Sequence, residues 1–185
     1  MNRIFLPLCV ISTIFLVAAL VLGLQIGDPK VPDRTVQAGV QYHFLTALAA
    51  LCFATLVHAI VLTYFMGTGR WLEETSQAYR LPPDFYAEQQ RTKYRLIPAM
   101  VSCFLLLLTT GAFGAAADPG SPVQFSGWWG LSPSTWHLSF AIATLTINLA
   151  VNYWEYVALF RNGEIIAAVL AEVRRIRIEK GLAVD

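Results

Sequence analysis

Three histidines and one carboxylate sit inside otherwise uncharged apolar runs, and their types and spacing could do chemistry. His43 and His137 form the first set. The run holding His43 aligns without gaps on the run holding His137 at an offset of 94 residues. This superposes His43 on His137, Ala47 on Ala141, Ala49 on Ala143, Leu51 on Leu145, Val57 on Val151 and Gly69 on Gly163. Such a repeat makes the chain two copies of a helical hairpin related by an axis along the membrane normal, an arrangement known in membrane proteins. Two imidazoles at equal depth on neighbouring parallel helices suit axial ligation of haem iron, and a b-type haem takes one ligand on each face. Ala47, Ala50, Ala141 and Thr144 lie one and two turns below and leave room for a flat macrocycle. The plainer reading, which the sequence favours, has both rings near water with their polar edges outward.

The second set lies deeper. His58 follows His43 by fifteen residues, about 22 Å along a straight helix, on a similar face. Asn148, Asn152 and Glu155 make a stripe on the run that holds His137, and Asn152 falls on His58 in the repeat. Ionisable residues inside a membrane usually face the bundle interior and pair with one another. The expected contact is a His58–Asn152 hydrogen bond, with Glu155 either joining it or reaching water or Arg161. The functional alternative is a proton or ion path.

Other chemistry is poorly supplied. Gly67-Thr68-Gly69-Arg70 lacks the Lys-Ser/Thr pair and the strand-to-helix setting of a phosphate loop. There is no Ser/His/Asp triad, no HExxH and no Cys/His metal spacing, so neither catalytic nor metal-ligating residues are assigned. Cys9, Cys52 and Cys103 each lie in an apolar run and read as small buried hydrophobes.

The elements that must position these residues are four apolar runs, near 4–25, 39–66, 96–117 and 135–158. The chain has 185 residues, 56% hydrophobic and 14% charged, with a mean hydropathy of +0.55. A soluble domain is nearer a quarter charged, and runs of about 20 residues match a hydrocarbon layer about 30 Å thick. Eleven of the thirteen Lys and Arg flank the runs on one side. They are Arg3, then Arg70, Arg80, Arg91, Lys93 and Arg95, then Arg161, Arg174, Arg175, Arg177 and Lys180. Only Lys30 and Arg34 follow the first run, and no basic residue lies between the third and fourth. Cytoplasmic loops keep Lys and Arg, so both termini are expected in the cytoplasm. The first run exceeds a signal-peptide core and no clear A-x-A site follows it, so it reads as a retained helix. Trp128, Trp129 and Trp136 read as an outer aromatic belt and Tyr153, Trp154 and Tyr156 as an inner one.

Between the runs, Gly27 to Arg34 carries two prolines and two aspartates that end the first helix. Trp71 to Glu74 continue the second helix, which Gly67 and Gly69 could let bend. Pro82-Pro83 then breaks the chain, and Asp84 starts a short surface helix through Lys93. A separate helix begins at Leu96 with Pro98 in its first turn, and Gly111 and Gly114 give it a smooth face for a close neighbour. Ser132-Pro133 is an N-cap and N1 pair. Ile165, Ile166, Val169, Leu170, Val173 and Ile176 recur at helical spacing over 163–180, a cytoplasmic amphipathic helix expected to lie on the inner leaflet.

The expected fold is thus one all-α membrane domain, four transmembrane helices in a bundle, in the cell's inner membrane. The first expectation for function is a non-catalytic accessory subunit of a larger membrane complex, with lipid and other membrane subunits as partners and no nucleic acid. The alternative is a b-type cytochrome with a bis-His haem b on His43 and His137. The second alternative is a small transporter built on His58, Asn148, Asn152 and Glu155. In layout the chain resembles small multi-span subunits of bacterial membrane complexes, and its paired histidines resemble those of membrane cytochromes b.

Overall fold

A computed structural model describes residues 1–27, 33–123 and 125–183, with the Asn2 side chain left aside. Four helices account for nearly all of them: α1 (Asn2–Gln25), α2 (Arg34–Tyr79), α3 (Asp84–Ala117) and α4 (Pro133–Glu179). The loop residues Asp28 to Pro32, including Lys30, lie outside the described residues. Local chemistry sets each boundary. Asp33 caps α2 by accepting from the Thr35 and Val36 amides, and the Thr35 hydroxyl donates to the same oxygen. These bonds, the Thr35 hydroxyl first, hold the Asp33 carboxyl below the usual carboxylate range. At the far end Arg80 turns into the left-handed region at φ 54°, and Leu81 N returns to Ser76 O. Ser132 caps α4 with Pro133 behind it, as expected. Gly181, at φ +65°, follows its last turn.

Two of the expected boundaries are absent. The short helix ending at Lys93 and the helix starting at Leu96 are a single α3, and Pro98 lies well inside it. A proline there removes one N–H, but α3 packs along α4 on both sides of it, which keeps the axis continuous. Nor is 163–180 a separate amphipathic helix, because α4 runs through Asn162-Gly163 without a break. Most of its apolar stripe is covered by protein, while Leu170 stays exposed. Ile165 and Val169 are buried against Leu72 of the α2 extension and Leu81, with Tyr79, Phe85 and Tyr86 around them. Tertiary burial, not a lipid surface, takes up this face.

Three helices, α1, α2 and α3, are long and apolar enough to cross a membrane. The equivalent stretch of α4 is interrupted by Asn148, Asn152 and Glu155. At about 1.5 Å per residue, α2 and α4 are each roughly 70 Å long, more than twice a hydrocarbon layer of about 30 Å. Their surplus forms a helical arm with the first turns of α3.

In section the bundle is a rhombus. α1 packs chiefly on α2 and α3 on α4. The hairpins join through α2–α3 and α1–α4 contacts, and the backbones of α1 and α3 make no close approach among the described residues. α2 and α4 therefore meet across the centre. The main core joins Phe5 and Cys9 of α1 to Val57, Val61 and Phe65, to Leu96, Met100 and Cys103, and to Val151 and Leu159. Cys9 and Cys103 are buried as read from sequence, whereas Cys52 faces outward from α2. The connection into α4 folds as an aromatic knot of Phe113, Phe125, Trp128, Trp136 and Phe140. Gly127 turns it at φ +92°, with Leu131 O where a Cβ would sit.

Leu72→Ala empties a fully buried site and is expected to cost about 2–5 kcal/mol, read as a lower unfolding midpoint in detergent. Leu170→Ala, on the exposed side of the same arm, is expected to leave it unchanged. Equal losses would contradict the packing of the arm. The Asp33 cap gives a pH signature. A carboxyl whose folded pKa is depressed contributes fully above its unfolded value, about 3.9, and loses that contribution as pH falls through the folded value. Asp33→Ala should therefore fray residues 35–37 at neutral pH and the wild type only in acid. Amide exchange of the two proteins at matched pH reads the difference.

Candidate functional site

The two histidines of the first set meet. His43 and His137 lie ring to ring across the centre of the bundle, 5.9 Å between ring centres and 78° between planes. Each is held from behind by the other helix of its own hairpin. His43 Nδ1 lies 2.9 Å from the Ala19 carbonyl of α1, and His137 Nδ1 lies 3.2 Å from the Thr110 carbonyl of α3. A carbonyl only accepts, so Nδ1 must be the protonated nitrogen in both rings. In the neutral ring Nε2 then carries the lone pair, and it has no hydrogen-bond partner among the described residues. Glycines make room for this. A Cβ on Gly23 would come within 2.9 Å of His43 Cε1, and one on Gly114 within 3.0 Å of His137 Cε1.

These contacts repeat with fixed offsets. From Ala19 to Thr110 and from Gly23 to Gly114 is 91 residues; from His43 to His137 is 94. Asn162 Nδ2 donates to Thr68 Oγ1, and that pair is also separated by 94. Residues equivalent in the two hairpins thus touch each other at two levels, as they must near a twofold axis. The burial pattern repeats as well: Ala50, Ala54, Val57, His58, Val61 and Phe65 match Thr144, Asn148, Val151, Asn152, Glu155 and Leu159, and all twelve are buried.

The second set also assembles, with different partners from those expected. His58 Nδ1 lies 2.7 Å from Glu155 Oε1, and Asn148 Nδ2 lies 3.0 Å from His58 Nε2. Asn152 reaches His58 only through Asn148, donating to its Oδ1 at 3.1 Å. The expected direct His58–Asn152 bond is absent because Asn148, one turn earlier on α4, fills the space facing the ring. Glu155 is fully buried and does not reach Arg161, which pairs with Glu88 and Glu164. Cys9 of α1 and Cys103 of α3 lie in the apolar core with Val151 and Leu159 of the same α4 face.

Four further polar contacts were not anticipated. The Thr110 and Thr144 hydroxyls meet at 2.7 Å between the two sets, and Thr144 also donates to Leu106 O. Asn162 and Thr68 meet below them. Gln89, fully buried, donates to Phe65 O at 3.0 Å and rests on Gly69, where a Cβ would lie 3.0 Å from its amide nitrogen. Gly69 is thus a seat for Gln89 within a continuous helix. The repeat could have found the Asn162 contact, since Thr68 is its equivalent. Nothing in the sequence pairs Gln89 with a glycine on another helix. The inner face of α4 therefore carries His137, Thr144, Asn148, Asn152, Glu155 and Asn162 in one polar ladder.

Compared with protein-family models, curated proteins and solved structures, the chain matches none.

The glycine seats give a paired test. Gly23→Ala forces the His43 ring away from Ala19 O and is expected to destabilise by about 1–3 kcal/mol. Gly67→Ala, with open space around it, is expected to stabilise by about 0.5–1 kcal/mol through helix propensity. Thermal unfolding of the two variants checks the opposite signs.

Proposed function

We propose that this chain is a four-span inner-membrane protein with both termini in the cytoplasm. In this reading it holds a b-type haem between His43 and His137 and passes electrons as a non-catalytic subunit of a larger membrane complex. The observation that carries the reading is the histidine pair itself. The two rings converge from neighbouring helices at 5.9 Å between centres, and paired neutral imidazoles are the donor set that a b-type haem would take. Ligating histidines almost always donate their other nitrogen to a carbonyl or carboxylate, which fixes tautomer and orientation. Ala19 O and Thr110 O supply those acceptors. The small side chains of Ala50 and Thr144 line the centre below.

His43 and His137 are the residues that would hold the group, and a bound haem would supply one-electron chemistry. The protein's own part is to fix both rings, keep their Nε2 atoms unprotonated and surround them with apolar helix. The four-span topology is supported by the one-sided Lys and Arg, by the aromatic knot and exposed Trp129 at the opposite end, and by the polar ladder of α4 being turned inward. Membrane partners are proposed from Trp129 and from the arm, which extends well beyond a bilayer's thickness.

A second reading, a small proton or ion transporter, draws on that ladder, since Thr110 and Thr144 put hydroxyls in the outer half. An absorption spectrum of the purified chain separates the two. A Soret band that shifts on reduction and is lost in both His43→Ala and His137→Ala is the expected result. A colourless protein, after expression with haem in excess, overturns the haem reading. Proteoliposome flux that His58→Ala abolishes would then support transport.

A further inference from the structure

We propose that the buried His58 network is a proton-binding site in which one exchangeable proton, shared between Glu155 and Asn152, closes a ring of four hydrogen bonds. The inference stands apart from haem binding and uses other residues.

The placement of the two asparagine amides sets the direction of each bond. Asn152 Nδ2 donates to Asn148 Oδ1, so the Asn148 amide nitrogen is the atom turned to His58. An amide nitrogen donates only, so His58 Nε2 must accept. A ring that accepts at Nε2 carries its proton at Nδ1, and Nδ1 donates to Glu155 Oε1. The chain therefore runs one way, from Asn152 through Asn148 and His58 to Glu155.

Both ends of that chain are bare acceptors. Asn152 Oδ1 and Glu155 Oε2 are sealed from solvent and have no hydrogen-bond partner. Asn152 is 8% exposed and Glu155 0%. They are three residues apart on one helix, so their side chains are neighbours on the same face. Two unpaired oxygens of like partial charge, sealed in an apolar core, are costly. A single proton on Glu155 Oε2 corrects both faults: it donates to Asn152 Oδ1 and cancels the one formal charge in the layer. Four donor atoms then meet four acceptors, and both bare oxygens gain a partner.

The groups facing Glu155 from the other helices fit this. α2 presents the His58 ring, and Cys9 of α1 and Cys103 of α3 are buried in the adjoining core. Ser12 of α1 is also buried with an unpartnered hydroxyl. No Lys or Arg among the described residues pairs with Glu155. The proton comes from solvent and returns to it, so no co-reactant is needed.

Infrared difference spectra of the full chain in lipid nanodiscs, wild type minus Glu155→Gln, in light and heavy water, test the proposal. The expected result is a protonated-carboxyl C=O band that shifts on deuteration and is lost in Glu155→Gln. The variant's amide reproduces the closed ring, donating to Asn152 and accepting from His58, so its unfolding midpoint should stay with the wild type. Glu155→Ala should lower the midpoint by several degrees. Asn152→Ala should keep the carboxyl band but move it to higher frequency, as the acid loses its acceptor. Absence of the band overturns the proposal, as does failure of Glu155→Gln to fold or an unmoved band in Asn152→Ala. A midpoint raised by sodium but not by choline, lost in Glu155→Gln and without the carboxyl band, also overturns it in favour of a metal cation. The haem spectrum is independent of every one of these outcomes.

Discussion

An apolar bundle offers a buried polar atom no water, so each such atom must find its partner within the protein. In this chain that constraint acts mainly on α4. Its inner face carries a histidine, a threonine, three asparagines and a glutamate. The other helices are arranged to meet them. α3 offers the Thr110 carbonyl to His137 and the Leu106 carbonyl to Thr144, and α2 offers His58 to Asn148 and Glu155 and Thr68 to Asn162. Such contacts supply direction, where packing among leucines and alanines would leave rotation about the helix axes weakly specified. Exposed ion pairs such as Arg161 with Glu88 add little beside this.

The two hairpins are built to one plan and filled differently. In each, the second helix sends a histidine onto a glycine and a carbonyl of the first. In each, the next turns inward are small. Below that the halves part company. The α2 side of the central layer is alanine, valine and one histidine, while the α4 side is threonine, asparagine and glutamate. One half supplies most of the polar groups, and the other supplies the room and a single ring to receive them.

Much of this was legible in the sequence, for identifiable reasons. Apolar runs bounded by charge report three helices directly, and the Ser132-Pro133 signal is local, so α4 begins where capping chemistry says. The offset of 94 placed His43 on His137 because both occupy the same register of equivalent helices. Pairing was harder. Asn148, Asn152 and Glu155 share a face, and which of them meets His58 depends on the rotation and height of α4 against α2, which composition does not encode. The continuous α3 was hidden by Pro98, whose lost hydrogen bond predicts a boundary unless packing on both sides overrides it. The amphipathic stripe of 163–180 was visible, but its occupant was not: an apolar face reads the same whether lipid or Leu72 covers it.

The pseudo-twofold axis has a consequence for what such a fold can contain. Were the hairpin an independent chain forming a symmetric pair, every residue near the axis would occur twice, and a lone carboxylate there would be impossible: any Glu155 would face its own copy. Joining the halves in one polypeptide lifts that restriction. Val61 stands where symmetry would demand a second glutamate, and Ala54 where it would demand a second Asn148. Covalent fusion is what allows an odd number of carboxyl groups to occupy the middle of an otherwise even architecture.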